Sequence, residues 1–312
     1  MQANKLFQEM IMSRKAILTR ARYEEAHNDI HDMIRRYVTT NWATQIRAQD
    51  RDLIERTMNR SAKDHYAVNP RARIEFNRVR GDILRQAFQS RREQEYYFVT
   101  MAPRDWLTGL ASARGFDLAP LRQTSADFME EGHYVGMIDA AFYSNIWRPL
   151  GKHPVRRIAW HWHALAWDVR EEALERAVAQ ANVKFMRLLG DRPILHIRKC
   201  TLNQALSRIN YMNKMPISEY RLIRKKGREV QDLGIFAEVA EEYPPLSSQK
   251  KRPLRPGDAI RTWRALGNRT IDDLLIGGGD GINLNIQALN GSRENIISDD
   301  RAEIIALERL YR

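Results

Sequence analysis

Ile158 to Trp167, IAWHWHALAW, restricts the fold more than any other part of this chain. The run is apolar and aromatic, and it reads as a strand. Strand side chains alternate between faces, so His161 and His163 share one face while Trp160 and Trp162 take the other. Two imidazoles opposite two indoles suit a half-buried sheet that carries a metal site.

The 312 residues suffice for two domains, or for one domain with extensions, and a hydrophobic share of 43% excludes disorder along the whole length. Residues 1–92 are rich in Arg, Glu, Asp, Gln and Ala, with Ile30, Met33, Ile34 and Val38 at helical spacing. They read as amphipathic helices broken near Asn69-Pro70. From Tyr96 the pattern changes. Tyr96–Met101 (YYFVTM), Tyr134–Phe142, Ile158–Val169 and Pro193–Cys200 read as strands. A polar, helical connection is expected from Pro103, with further helical stretches at Ser125–Glu131 and over 170–189. Another helix runs from an asparagine or threonine cap near position 201 to about Met215, before Pro216. Strands and helices therefore alternate as an α+β layer structure. Tyr243–Asp258 combines four prolines with clustered Lys and Arg and reads as a linker or extended basic arm. The expected units are a helical region over 1–92, a central domain over 93–240, and the basic linker with a small C-terminal module over 241–312.

Lys and Arg outnumber Asp and Glu 51 to 39, and a net charge of +12 favours an anionic partner, nucleic acid foremost. The single cysteine, Cys200, excludes an internal disulfide framework and a multi-cysteine zinc cluster, and fits a reducing compartment. No apolar run nears the roughly 20 residues of a membrane helix, and the first residues lack a signal-peptide core, so a cytoplasmic protein without a membrane partner is expected. No G-x-x-x-x-G-K-[ST] occurs, so no nucleotide cofactor is expected. Gly277–Gly281 reads as a turn, and His27 with His31 lacks the glutamate of a zinc-protease helix.

Catalytic metal sites take further protein ligands and keep one position open. Asp139, inside the apolar GMIDA of an expected neighbouring strand, is the candidate third ligand. A carboxylate there is costly unless it is paired or metal-bound, and a structural aspartate salt-bridged to an arginine is the alternative reading. Tyr211 and Lys214, three residues apart, share a helix face, about 5–6 Å apart at Cβ. A phenol ionises near pH 10, and a cation beside it lowers that value, which suits attack on a phosphodiester.

In this order along the chain, YYFVTM, HWHALAW and NYMNK (a Tyr-x-x-Lys) resemble the three motifs of the HUH endonuclease superfamily, specifically its single-tyrosine rolling-circle replication initiators. The resemblance covers roughly residues 96–230 and leaves out the N-terminal helices. It implies an antiparallel sheet of ferredoxin-like or RNA-recognition type, with helices on one face and the site on the open one. His161, His163 and Asp139 would hold Mg2+ or Mn2+, and Tyr211 would attack single-stranded or hairpin origin DNA. That attack leaves a 5′-phosphotyrosine link and a 3′-hydroxyl primer, with Lys214 assisting and a host helicase and polymerase as partners. Two positions depart from the pattern: Met101 replaces a second threonine, and the family's third ligand is often the longer glutamate or glutamine. A mobilisation relaxase or a single-tyrosine transposase shares the chemistry, and the rival from another class is a non-catalytic nucleic-acid-binding protein with packed histidines. Arg221, Arg224, Lys225, Lys226 and Arg228 follow the tyrosine helix, and Lys250, Lys251 and Arg252 mark the linker. Both clusters are expected to track phosphates, with Tyr96, Tyr97 and Trp147 as stacking surfaces for unpaired bases.

Overall fold

The computed structural model describes residues 18–41, 53–56, 58, 62–91, 94–130, 132–146, 155–188, 193–224 and 247–310. Helices α1 (Arg20–Asn41) and α2 (Pro70–Gln89) precede strand β1 (Tyr96–Met101). Then come β2 (Leu107–Gly109), α3 (Ala119–Phe128), β3 (His133–Ile146), β4 (Val155–Trp167), α4 (Glu171–Lys184), β5 (Leu195–Cys200) and α5 (Leu202–Asn213). The chain continues through β6 (Ser218–Arg224), β7 (Ser247–Pro253), α6 (Pro256–Leu266), α7 (Ile271–Leu274), β8 (Leu275–Gly278) and α8 (Asp280–Leu310). The class is α+β, as the alternation of patterns predicts.

The strands form one eight-stranded sheet in the order β5-β1-β4-β3-β6-β7, with β2 on β4 and β8 on β3. β4 lies between β1 and β3 and is antiparallel to both. β6 runs parallel to β3, so the sheet is mixed and not wholly antiparallel. α5 leaves β5 at one edge, crosses β1 and β4, and delivers β6 to the far side of β3.

Local chemistry starts the helices that matter here. Asn69 Oδ1 accepts from the Ala72 N–H at 3.0 Å, with Pro70 in the first turn of α2. Thr201 and Gln204 form a reciprocal capping box at the start of α5. That helix ends at Asn213, where Lys214 turns extended two residues before Pro216.

Helices cover both faces of the sheet, not one. On the histidine face α2 reaches Met137, whose Sδ lies 3.4 Å from Arg73 Nη1. On the opposite face Phe116 stacks on Trp160 at 5.4 Å, and Ser125 of α3 lies 3.5 Å from the Tyr134 hydroxyl. Every residue of β4 from Ile158 to Trp167 is buried, so the expectation of an open, half-buried sheet is overturned. The run itself supplies the reason: Leu165 and Trp167 follow the histidines on their own face, and apolar side chains on both sides of a strand demand cover on both. Ile34, Phe76, Phe88, Trp162, Trp263, Leu274 and Ile296 join one buried cluster, so the N-terminal helices and C-terminal elements share the core of the sheet.

One further expectation is corrected. Residues Ser247–Pro253 of the expected linker form β7, paired with β6, and Arg252 makes two bonds to the buried Glu219, at 2.5 and 2.9 Å. The ladder and that ion pair turn a proline-flanked basic segment into an edge strand. Within the glycine-rich stretch Gly277 and Gly278 end β8, Gly279 makes the expected turn, and Asp280 opens α8. Gly279 there has φ +55°, and a Cβ on Gly281 would lie 1.8 Å from the Tyr134 carbonyl oxygen. α8 runs on to Leu310. No helix among the described residues is long and apolar enough to cross a membrane.

His27 links α1 to the end of α5. Its Nδ1–H donates to the Tyr23 carbonyl at 2.6 Å, and its Nε2 accepts from the Met215 N–H at 3.1 Å. Burial lowers its pKa to about 3. The unfolded chain takes up this proton near pH 6.5, so between those values the unfolded state binds more protons and stability rises with pH. Stability is therefore full above pH 6.5 and falls below it by about 1.4 kcal/mol per pH unit from this ring alone. Urea unfolding at pH 7.5 and 5.0 is expected to show this loss, with a shallower pH dependence in His27→Gln.

Candidate functional site

The site begins with strand register. Asp139 of β3 is paired with His161, and His163 sits between Met137 of β3 and Thr100 of β1. Because side chains alternate, Asp139, His161, His163 and Thr100 emerge on one face. One ligand atom each from Asp139, His161 and His163 lies within 4.8 Å of the others, and all three residues are buried.

Each ring is oriented by a neighbour. His161 Nδ1–H donates to the Ala159 carbonyl at 3.2 Å, which leaves Nε2 directed at Asp139 Oδ2, 3.7 Å away. His163 Nδ1 shares a 2.8 Å hydrogen bond with Thr100 Oγ1, while its Nε2 is buried with no hydrogen-bond partner among the described residues. An orphaned, buried imidazole nitrogen is costly unless a ligand satisfies it.

α5 closes over this face. Lys214 Nζ donates to Asp139 Oδ2 at 2.8 Å and lies 4.8 Å from the Tyr211 ring centroid. The Tyr211 ring is 5.1 Å from that of His163 and 6.0 Å from that of Phe98. Tyr211 is half-buried, and the adjacent Tyr220 of β6 is hydrogen-bonded to it.

The electrostatics leave the ligand forms ready. Burial pushes both imidazoles below their ordinary pKa, His163 furthest, so both are neutral at pH 7. Burial alone would raise the Asp139 pKa, but Lys214 and His161 outweigh it and hold the carboxyl far below its usual range. Burial likewise opposes the Lys214 ammonium, and the Asp139 charge overcomes it. Two neutral imidazoles and one carboxylate are a donor set suited to a divalent cation. Asp139, His161 and His163 could thus hold a metal ion, with Lys214 sharing the carboxylate.

A second set of buried polar groups sets the position of Lys214. Arg73 Nη1 donates to the carbonyls of Asn213 (3.0 Å) and Lys214 (3.4 Å), and the Tyr23 hydroxyl donates to Asn213 O at 3.0 Å. Arg80 reaches Asn213 Oδ1 at 2.5 Å and the Gly136 carbonyl at 3.1 Å. These residues, with Thr100 and Tyr220, are the ones that motif reading passes over. A signal for them exists: Arg73, Asn77 and Arg80 fall on the same helical stripe as Leu84 and Phe88, where polar residues are out of place.

The structure brings Asp139, His161, His163, Tyr211 and Lys214 together. Arg221, Lys250 and Lys251 are exposed on the β6–β7 pair, and Arg252 is committed to Glu219. Arg224 ends β6, while Lys225, Lys226, Arg228 and Trp147 lie outside the described residues. Tyr96 and Tyr97 are buried, Tyr96 against Phe88 at 4.8 Å, so neither is a stacking surface for bases. No family model, curated protein or solved structure matches this chain.

If a cation and Lys214 compete for Asp139 Oδ2, then Lys214→Met exposes the competition. The metal-free variant is expected to lose about 3–5 kcal/mol, because the buried carboxylate has lost its partner. Mn2+ should then raise its melting temperature more than that of the wild type. Thermal unfolding with and without Mn2+ measures this, and equal metal responses would refute the shared-ligand geometry.

Proposed function

We propose that this chain is a metal-dependent nickase in which Tyr211 attacks a phosphodiester of single-stranded origin DNA, the first step of rolling-circle replication of a plasmid or phage. The observation that carries the reading is the approach of Tyr211 to His163, ring to ring at 5.1 Å, on the face that holds Asp139 and His161. A nucleophile beside a cation site is what in-line displacement at phosphorus requires. The order of the strand and helix motifs supports the same reading.

Asp139, His161 and His163 would hold Mg2+ or Mn2+, which when bound polarises the phosphoryl oxygen and draws charge from phosphorus. The residues of the chain do the rest. The Tyr211 phenolic oxygen forms a bond to phosphorus, and the bond from phosphorus to the 3′-oxygen breaks. The phenol loses a proton to solvent and the departing 3′-oxygen gains one, giving a 3′-hydroxyl and a 5′-phosphotyrosine. Lys214, held charged by Asp139, offers a cation to the negative charge that develops on the phenol. Thr100 keeps the His163 ring turned so that Nε2 faces the site. Unwinding and extension from the primer fall to a host helicase and polymerase, since the chain lacks a nucleotide-binding loop of the Walker type.

Incubation with a single-stranded origin hairpin and Mn2+ is expected to yield a covalent protein–DNA band on a denaturing gel. Tyr211→Phe should abolish the band, and His163→Ala should slow its formation by on the order of a hundredfold. A mobility shift without any covalent band would point to a non-catalytic DNA-binding protein.

A further inference from the structure

Lys214 and Arg252 have carboxylate partners, and Arg73 and Arg80 spend their donors on carbonyl and amide oxygens. Arg208 is different. It stands three residues, about one turn, before Tyr211 on α5, which places it on the tyrosine's own face, on the side opposite Lys214 in sequence. Its guanidinium carbon lies 5.4 Å from the Phe98 ring centroid, and Phe98 in turn packs edge-on to Tyr211 and stacks on His163 at 5.5 Å. Arg198 of β5 is the register partner of Phe98, so it emerges on the same sheet face, and its charge acts on Arg208. Burial lowers the Arg208 pKa, and the charge of Arg198 lowers it further. Among the described residues no carboxylate pairs with either, and Arg208 Nε is buried without a hydrogen-bond partner. Two like charges held together beside a nucleophile, one with an unsatisfied buried donor, call for an anion.

We propose that Arg198 and Arg208 form an anion subsite that grips a backbone phosphate of a single-stranded polynucleotide next to Tyr211. The planar fork of arginine presents paired N–H donors that match the oxygens of a phosphodiester, which a lysine cannot reproduce. The subsite deepens the nickase reading and rests on it for the identity of the strand. Its placement gives a division of labour along α5. Arg208 holds a phosphate on one side of Tyr211, and Lys214 serves the cation centre on the other.

The test is a binding measurement that needs no cleavage. Fluorescence anisotropy of a short fluorescein-labelled oligothymidylate is followed in Tyr211→Phe, in EDTA, over a range of salt concentrations. Adding Arg208→Ala or Arg198→Ala should each weaken binding roughly tenfold and reduce the salt slope by about 0.7, the loss of one single-strand phosphate contact. Arg208→Lys should recover only part of the affinity, since the charge returns without the fork. Arg198 sits on an edge strand, so its variant reads the subsite even if Arg208→Ala fails to fold by circular dichroism. Parent affinity and parent salt slope in a folded alanine variant would overturn the proposal, and so would displacement of the oligonucleotide by inorganic phosphate at equal concentration. A wild type that forms no covalent adduct sinks the nickase reading alone, because the anisotropy arm is metal-free and independent of chemistry.

Discussion

The buried ion pair between Asp139 and Lys214 is the interaction around which the rest of the structure is arranged. Both side chains are almost wholly removed from water, at 5% and 6% exposure, with 2.8 Å between Oδ2 and Nζ. Either charge alone in that position would carry a desolvation penalty of several kcal/mol, so the two elements that bring them, β3 and the end of α5, are bound to one another. Pinning Lys214, the residue that caps α5, also places Tyr211, three residues earlier in the last turn of the helix. The pair thus connects the candidate cation ligands to the candidate nucleophile through a single carboxylate oxygen.

The C-terminal end of α5 needs more than Lys214 to stay where it is. Its last carbonyls have no partners within the helix, and the macrodipole makes that end electronegative. Arg73 and the Tyr23 hydroxyl satisfy the Asn213 carbonyl, and Arg73 also reaches that of Lys214. Burial lowers the Arg80 pKa to about 9, so it stays charged at neutral pH while bonded to Asn213 and Asn285. Two buried guanidinium groups without carboxylates are thereby matched to a helix end that favours positive charge. The N-terminal helices are in this sense part of the site's support, not an appendage to the sheet.

How much of this is legible in the sequence depends on the range of the interaction. The face shared by His161 and His163 follows from strand alternation, and the pairing of Tyr211 with Lys214 follows from helical spacing. Asp139 stands out as a carboxylate in an apolar strand, and it does lie opposite His161, in register. Its salt-bridged alternative is also present, with Lys214 as the partner in place of an arginine. Thr100 and Tyr220 have no local mark, because each meets the site through a neighbouring strand. The basic segment before Pro253 looks like a linker until the β6 ladder and Glu219 give it partners.

By itself the sequence determined which side chains travel together: two imidazoles on one strand face, a phenol and an ammonium on one helix face, and a capped helix that stops before Pro216. Only the tertiary structure decided that these faces oppose each other, that the site lies beneath helices and not on open sheet, and that β6 returns parallel to β3. The physical reason is distance along the chain. Periodicity acts over a few residues, whereas register, crossover path and the burial of charges are set by contacts between segments such as Arg73 and Lys214, which no local pattern encodes.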